Sequence, residues 1–435
     1  MSAAVETAEA LARRLGEARG WRLVVNSVCS VDVGMDDSKL CGHYRPARMA
    51  REIAGSVFII WEDGMVSRGR IDSKTLSRLP RDIELWRSLA YGDDDAAHIA
   101  QLMPPTQVEL FDPRVADIVR DDAGPVFDAV SEIAATAREG GADMVDAGVG
   151  CSTVETVIAT SSGLWVKYPE TNAWCSWSID KTMSGIRLGR YRETLSGLAR
   201  AVSVTRRLAL AAKARVKVDA RDRRVLLTPR VVESFIGHYL LHNMAGENVA
   251  EGRSRYSLEQ FREGAHVLRD DLSLTIDTAV PMGPGSYLCT SEGVPSGRLA
   301  LIEDGQLASP ILNTKYATRC KMAATPIPAS GMPPGHAGLT LRAHNMENWA
   351  ELLSGADDVI LVDSVLGMHT QDPTAGNFSL AVPDGIVVRA GQFAGAAKVV
   401  ISGNFFSVIN EADTRFALSE ADPNPGIELA CHVES

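Results

Sequence analysis

Apolar and polar positions change rhythm along this 435-residue chain. Ala and Leu recur at helical spacing over residues 3–19, which predicts an amphipathic helix. Arg22-Leu23-Val24-Val25 then opens a strand, and alternation continues through Ser30. Ser56 to Trp61 is a second β-type run, stopped by the turn Glu62-Asp63-Gly64. Leu76 to Leu89 and Val126 to Glu139 return to a helical period. Between them, Tyr91 to Gln107 holds Asp93-Asp94-Asp95 and Pro104-Pro105 and reads as a connection with solvated acids. Strands follow over Ala142 to Trp177, where Ser161-Ser162-Gly163 separates Thr156–Ala159 from Leu164–Val166. Trp174 and Trp177 have opposite parity, so they face opposite sides. Tyr191 to Val216 is the longest helical stretch, and Arg224 to Thr228 is a strand. Pro229 suits the first turn of the next helix.

Beyond about residue 270 short apolar runs alternate with Gly and Asp-Pro breaks, the pattern of antiparallel strands and tight turns. Leu361 to Asn404 shows it most clearly. The fold class that follows is α+β. Residues 1–220 are expected to form a mixed α/β domain with an antiparallel sheet, and residues 221–435 a β-dominated domain.

Charge narrows the function classes. A net charge of −11 and a pI of 5.4 argue against a nucleic-acid partner. The densest basic segment, Arg206 to Arg224, also holds Asp219 and Asp222 and reads as a solvated helix end and hairpin. No apolar run approaches a membrane span, and the first 20 residues lack the apolar core of a signal peptide, so a cytoplasmic protein is expected. Seven scattered cysteines without a CxxC pair speak against a disulfide framework or a Cys-type structural zinc site. Cys289 and Cys320 fall in strand-like segments and read as small buried hydrophobes.

Several short motifs stand in a telling order. Ser291-Glu292-Gly293-Val294-Pro295 precedes Leu301-Ile302-Glu303-Asp304-Gly305, and Gly367, His369, Gly376, Phe378 and Ser379 follow. Together with the turn at Ser161-Ser162-Gly163, this series resembles the TldD/PmbA family, once called modulators of DNA gyrase. The resemblance implies a barrel-like C-terminal domain and a heterodimeric zinc peptidase. Its catalytic subunit carries HExxxH on a helix, with two His ligands, a Glu acting on the zinc-bound water, and a Cys nearer the C-terminus. Its PmbA or TldE-type subunit lacks the ligands but is needed for the active pair. Such pairs act on unfolded peptides, peptide antibiotics or other natural products.

The equivalent helix here is Val231 to His242, in which Gly237-His238 resembles the end of HExxxH. Counting back places Glu233 at the first His and Ser234 at the catalytic Glu. Zinc hydrolysis needs both a metal-activated water and a base, and the base is missing at its place. His238 and His242 are four apart and could share a metal on one helix face, but the intervening Glu of HExxH is replaced by Tyr239, a poor base near neutral pH. Cys431 is a weak thiolate candidate in a terminal strand or tail. His369, Phe378 and Ser379 are the candidate substrate or partner contacts.

The expected role is therefore a PmbA/TldE-like, non-catalytic subunit. No cofactor is expected in this chain; zinc is expected in a homologous partner with intact HExxxH. The substrate is expected to be a peptide or another amide, gripped by β-strand addition. Two alternatives remain: a metal-independent scaffold homodimer, and an active hydrolase with a site built from His238, His242 and Glu233.

Overall fold

The computed structural model describes residues 2–43, 45–139, 141–327, 338–419 and 422–434. The N-terminal half is one antiparallel sheet with helices on one face. Its strands are β1 (Gly20–Asp36), β2 (Lys39–Leu40), β3 (Arg48–Ile60), β4 (Val66–Asp72), β5 (Val145–Thr160), β6 (Trp165–Ile179) and β7 (Met183–Gly189). The main order is β4-β3-β1-β5-β6-β7, and β2 pairs with β1. Its helices are α1 (Ala3–Arg14), α2 (Thr75–Ser88), α3 (Pro113–Arg120), α4 (Gly124–Glu139) and α5 (Ala199–Lys213).

Strand alternation divides the sheet into two faces. Odd-numbered residues such as Leu23, Val25, Val57, Ile59 and Val157 pack with Ala4, Ala8 and Leu11 of α1 and Trp86 of α2. Farther along that face, Val149, Cys151, Cys175 and Trp177 pack under α3, α4 and α5. Trp177 is buried and its indole N–H donates to Thr205 Oγ1 at 2.9 Å, while Trp174 on the other face is half-buried. The even face meets the C-terminal half, where Ile158, Val166 and Tyr168 pack against Leu288 and Cys289.

In the C-terminal half, β8 (Arg221–Leu227) leads into a three-part helix. It comprises α6 (Pro229–Phe235), a π-helical segment (Ile236–Leu241) and α7 (His242–Met244). Two short helices follow, α8 (Gly246–Ala250) and α9 (Leu258–Glu263). A four-stranded sheet of order β11-β10-β9-β12 contains β9 (Leu272–Asp277), β10 (Arg298–Glu303), β11 (Gln306–Leu307) and β12 (Leu339–Ala343), with α10 (Thr314–Cys320) between β11 and β12. The β10–β11 hairpin turns on Asp304-Gly305, both at positive φ, the two-residue turn that suits twisted strands. The last elements are β13 (Glu347–Asn348), α11 (Trp349–Ser354), β14 (Val359–Val362), β15 (Asn377–Arg389), β16 (Gln392–Asn404), α12 (Phe405–Val408), β17 (Arg415–Leu418) and β18 (Gly426–Glu434). β8, β14, β15, β16 and β18 close on themselves through the β18–β8 pairing, and β17 and β13 branch from β18. The expected barrel-like domain is thus a ring of strands rather than a strict barrel. The parallel β8–β14 pair and the bulges between β15 and β16 make it irregular.

Four other expectations change. The stretch 191–216 is broken: Gly197, at positive φ, separates a 3₁₀ turn at Arg192–Leu195 from α5, and α4 is the longer helix. Helix α3 is additional to the helices expected; Asp112 caps it by accepting the Arg114 N–H, and Pro113 begins it. Cys320 lies in α10, not in a strand. Asp93 and the basic segment are not simply solvated. Asp93 pairs with Lys315 at 2.6 Å. Lys213, Arg215, Arg223 and Arg224 are each matched to an Asp or Glu.

Candidate functional site

The helix that the resemblance equates with the family's metal helix starts with Pro229 at its first position. Its apolar residues Val231, Val232, Phe235, Ile236, Leu240 and Leu241 are all buried in the larger C-terminal core. Phe235 meets Phe378 edge-on at 5.3 Å, and Tyr239 stacks on Phe405 at 5.0 Å. This packing holds the helix while the π segment shifts its bonding to residues five apart, a local widening often found at functional sites.

The π segment and α7 face the loop between β14 and β15. Three side chains hold backbone carbonyls of that loop or of the strand it enters. His238 Nε2 bonds the Gln371 carbonyl at 3.1 Å, which requires the proton on that nitrogen. The Tyr239 hydroxyl donates to the Asn377 carbonyl at 3.0 Å, and Asn243 Nδ2 donates to the Pro373 carbonyl at 2.8 Å. Asn243 is fully buried and also accepts the Arg255 N–H. The loop is braced from within as well. Asp372 accepts from Thr374 N and Ala375 N, and Gln371 bonds the backbone of Ser379 in both directions. Gly376 sits at φ +81, with Phe406 only 2.4 Å from where a Cβ would stand.

The candidate residues fall in different surroundings. Glu233 accepts a 2.8 Å hydrogen bond from Asn424, a buried amide that also bonds the backbone of Leu339 and Leu341. Ser234 is exposed and bonds back to the Arg230 carbonyl. His238 and His242 are half-buried. Burial pushes both imidazoles below the usual histidine range; His369 adds to the effect at His238, and His238 and Arg253 add to it at His242. Asp372 works in the opposite direction on both. Near neutral pH each is therefore an uncharged ring. Tyr239 is buried and its hydroxyl is pushed up to about 12, so it is no base. Cys431 faces the core in β18 and burial pushes its thiol up to about 12, which disfavours the thiolate a metal needs. His369 and Ser379 are exposed. Phe378, expected at a substrate or partner surface, is instead a core residue packed on Phe235.

Among the described residues no group of three or more His, Cys, Asp or Glu side chains converges to hold a metal ion. The residues present do not fit the zinc site that the family resemblance implies. Glu233 is engaged elsewhere, Ser234, which the resemblance sets at the base position, bonds its own helix, and the Cys431 thiol is buried as a neutral group. The residues that organise this region, Gln371 and Asn243, were missed by motif reading, because a side chain that holds a distant carbonyl leaves no spacing to recognise.

Comparison with known proteins agrees with this architecture. Residues 221–419 match the PmbA/TldA metallopeptidase C-terminal domain. An uncharacterized protein of Methanocaldococcus jannaschii is 22% identical over 191 residues, spanning 43% of this chain and less than half, 44%, of the relative. TldE from Thermococcus kodakarensis superposes with a TM-score of 0.82 over 100% of both chains at 16% identity. A protein from Thermotoga maritima, described as a modulator of a DNA gyrase, gives a TM-score of 0.76 over 99% of each chain at 17% identity. Residues 221–419 thus carry a C-terminal domain of the PmbA/TldD type, and the chain has a TldE-like fold over its whole length.

Proposed function

We propose that this chain is the non-catalytic, TldE-like subunit of a two-subunit amide hydrolase whose zinc is held by a homologous partner with intact HExxxH. One observation carries the reading. The helix positions that would hold and use a metal are occupied by groups already committed to the chain's own architecture: Glu233 to Asn424, Ser234 to Arg230, and His238 to Gln371. The role left to the subunit is to complete the cleft and to hold an extended substrate by its backbone, in a peptide or another amide.

The test is co-expression with such a partner from the same genome. The pair is expected to copurify and to hydrolyse unfolded peptides, with neither chain active alone. Zinc in this chain alone is expected well below one per molecule by elemental analysis. About one zinc per chain, lost on His238→Ala or His242→Ala, would replace this reading with an altered-site enzyme. Copurification of the chain only with itself would favour a scaffold homodimer.

A further inference from the structure

The even face of the N-terminal sheet carries a row of side chains that the subunit role does not use. Arg22 on β1 stands opposite Phe58 on β3, and Phe58 stands opposite Arg68 on β4. The Arg22 guanidinium lies 4.2 Å from the centre of the Phe58 ring and that of Arg68 lies 5.9 Å from it. This row forms one wall of a cavity of about 280 Å³, closed on the other side by Ser291, Glu292 and Asn313 of the C-terminal half. The motif Ser291-Glu292-Gly293 therefore does more than turn the chain.

The charges around the cavity are unequal. Glu292 is buried; one oxygen pairs with Arg22 at 2.7 Å and the other accepts from Thr314 N at 2.6 Å. Its charge is spent on these contacts. Arg68 makes no ion pair among the described residues, so one positive charge remains. Beside the apolar Leu23, Val24 and Val57, the other polar side chains of the lining can each donate. Ser56 and Ser291 offer hydroxyls, and Asn313, whose oxygen accepts from Tyr316 N, is left with its amide N–H₂. A donor-rich cavity with one unmatched guanidinium suits a planar monoanion, because a guanidinium can bond a carboxylate through two parallel N–H groups. A dianion would meet the Glu292 carboxylate as well.

We propose that this cavity between the two halves of the chain is a binding site for a carboxylate, with Arg68 as its principal contact and Arg22 as the second. The volume suits one small acid or the terminal carboxylate of a peptide. The inference is independent of the subunit role. It is equally open to a homodimer or an enzyme.

Isothermal titration of the full chain with propionate, trialanine and trialanine amide decides it. Trialanine is expected to bind at least about tenfold more tightly than its amide, as the loss of a charge-assisted pair requires. Arg68→Ala is expected to remove that difference and Arg68→Lys to restore part of it; Arg68 is exposed, so both variants should fold. Binding of trialanine without propionate identifies a peptide C-terminus as the occupant, and binding of propionate identifies a free small acid. Three outcomes would overturn the proposal: no heat from any probe, equal affinity for acid and amide, or binding unchanged in Arg68→Ala. Because peptide hydrolysis is not read, the failure of this site and the failure of the subunit reading are separate results.

Discussion

The helix that the resemblance equates with the family's zinc helix and the arginine row on the N-terminal sheet use their polar groups in contrasting ways. On the helix, the polar side chains most closely tied to the expected site are bonded to other parts of the chain. Glu233 holds Asn424, while His238, Tyr239 and Asn243 hold carbonyls at Gln371, Asn377 and Pro373. In the row Arg22–Phe58–Arg68, one guanidinium is matched by Glu292 and the other is not. Groups satisfied within the chain stiffen it and have little left to offer a ligand. An exposed cation over an aromatic ring keeps its capacity for one. The helix spends its polar groups on architecture, whereas the sheet, a framework by its register, carries the unspent chemistry.

Five outcomes would break or sharpen this contrast. Phe235→Ala should be the most damaging, because Phe235 joins the helix to Phe378 and Phe405; a loss of about 4 kcal/mol in denaturant unfolding is expected for a buried aromatic. Arg22→Met should cost about 3 kcal/mol, since it strands the buried Glu292 carboxylate; a smaller loss would mean that Thr314 alone satisfies Glu292. Asn243→Ala should cost about 2 kcal/mol and raise hydrogen exchange in residues 371–377, because the carbonyl of Pro373 and the N–H of Arg255 lose their partner.

The fourth outcome concerns pH. His238 and His242 lie below the ordinary value of 6.5 in the folded chain, so the unfolded chain takes up protons first as pH falls. Their contribution is present above pH 6.5 and is lost as pH falls from there toward the folded values. The unfolding midpoint should therefore drop on acidification. His238→Gln, which still donates to the Gln371 carbonyl and cannot titrate, should flatten part of that drop. A midpoint that rises instead would mean that Asp372 outweighs burial. The smallest effect belongs to Arg68→Ala, with stability within about 0.5 kcal/mol of the parent, as for an exposed residue without an ion pair. A larger loss would make Arg68 part of the framework and weaken the contrast.

Local signals were legible where one element decides its own form. The alternation at Arg22–Val25 marked β1, Pro229 marked the start of α6, and Ser161-Ser162-Gly163 marked the β5–β6 turn. They failed where distant parts compete. Tyr191 to Val216 has helical composition throughout, yet Gly197 turns the chain before α5. Asp93 looked solvated because Lys315 is far away in sequence, and Phe378, a contact candidate by its place in the family's motif, meets a core partner, Phe235, that is also far away.

The sequence by itself determined that a half mixing helix and strand precedes a β-richer one, and that motifs resembling one family run through the second. These are properties of composition, order and spacing, which a linear chain displays directly. Tertiary structure alone decided that Glu233 faces Asn424, that Cys431 is buried as a neutral thiol, and that Arg22, Phe58 and Arg68 form one row against Glu292. Each of those depends on strand register or on a contact between residues far apart in the chain. Neither leaves a periodic trace, because the side chains are brought together by the pairing of elements rather than by the order in which they are joined.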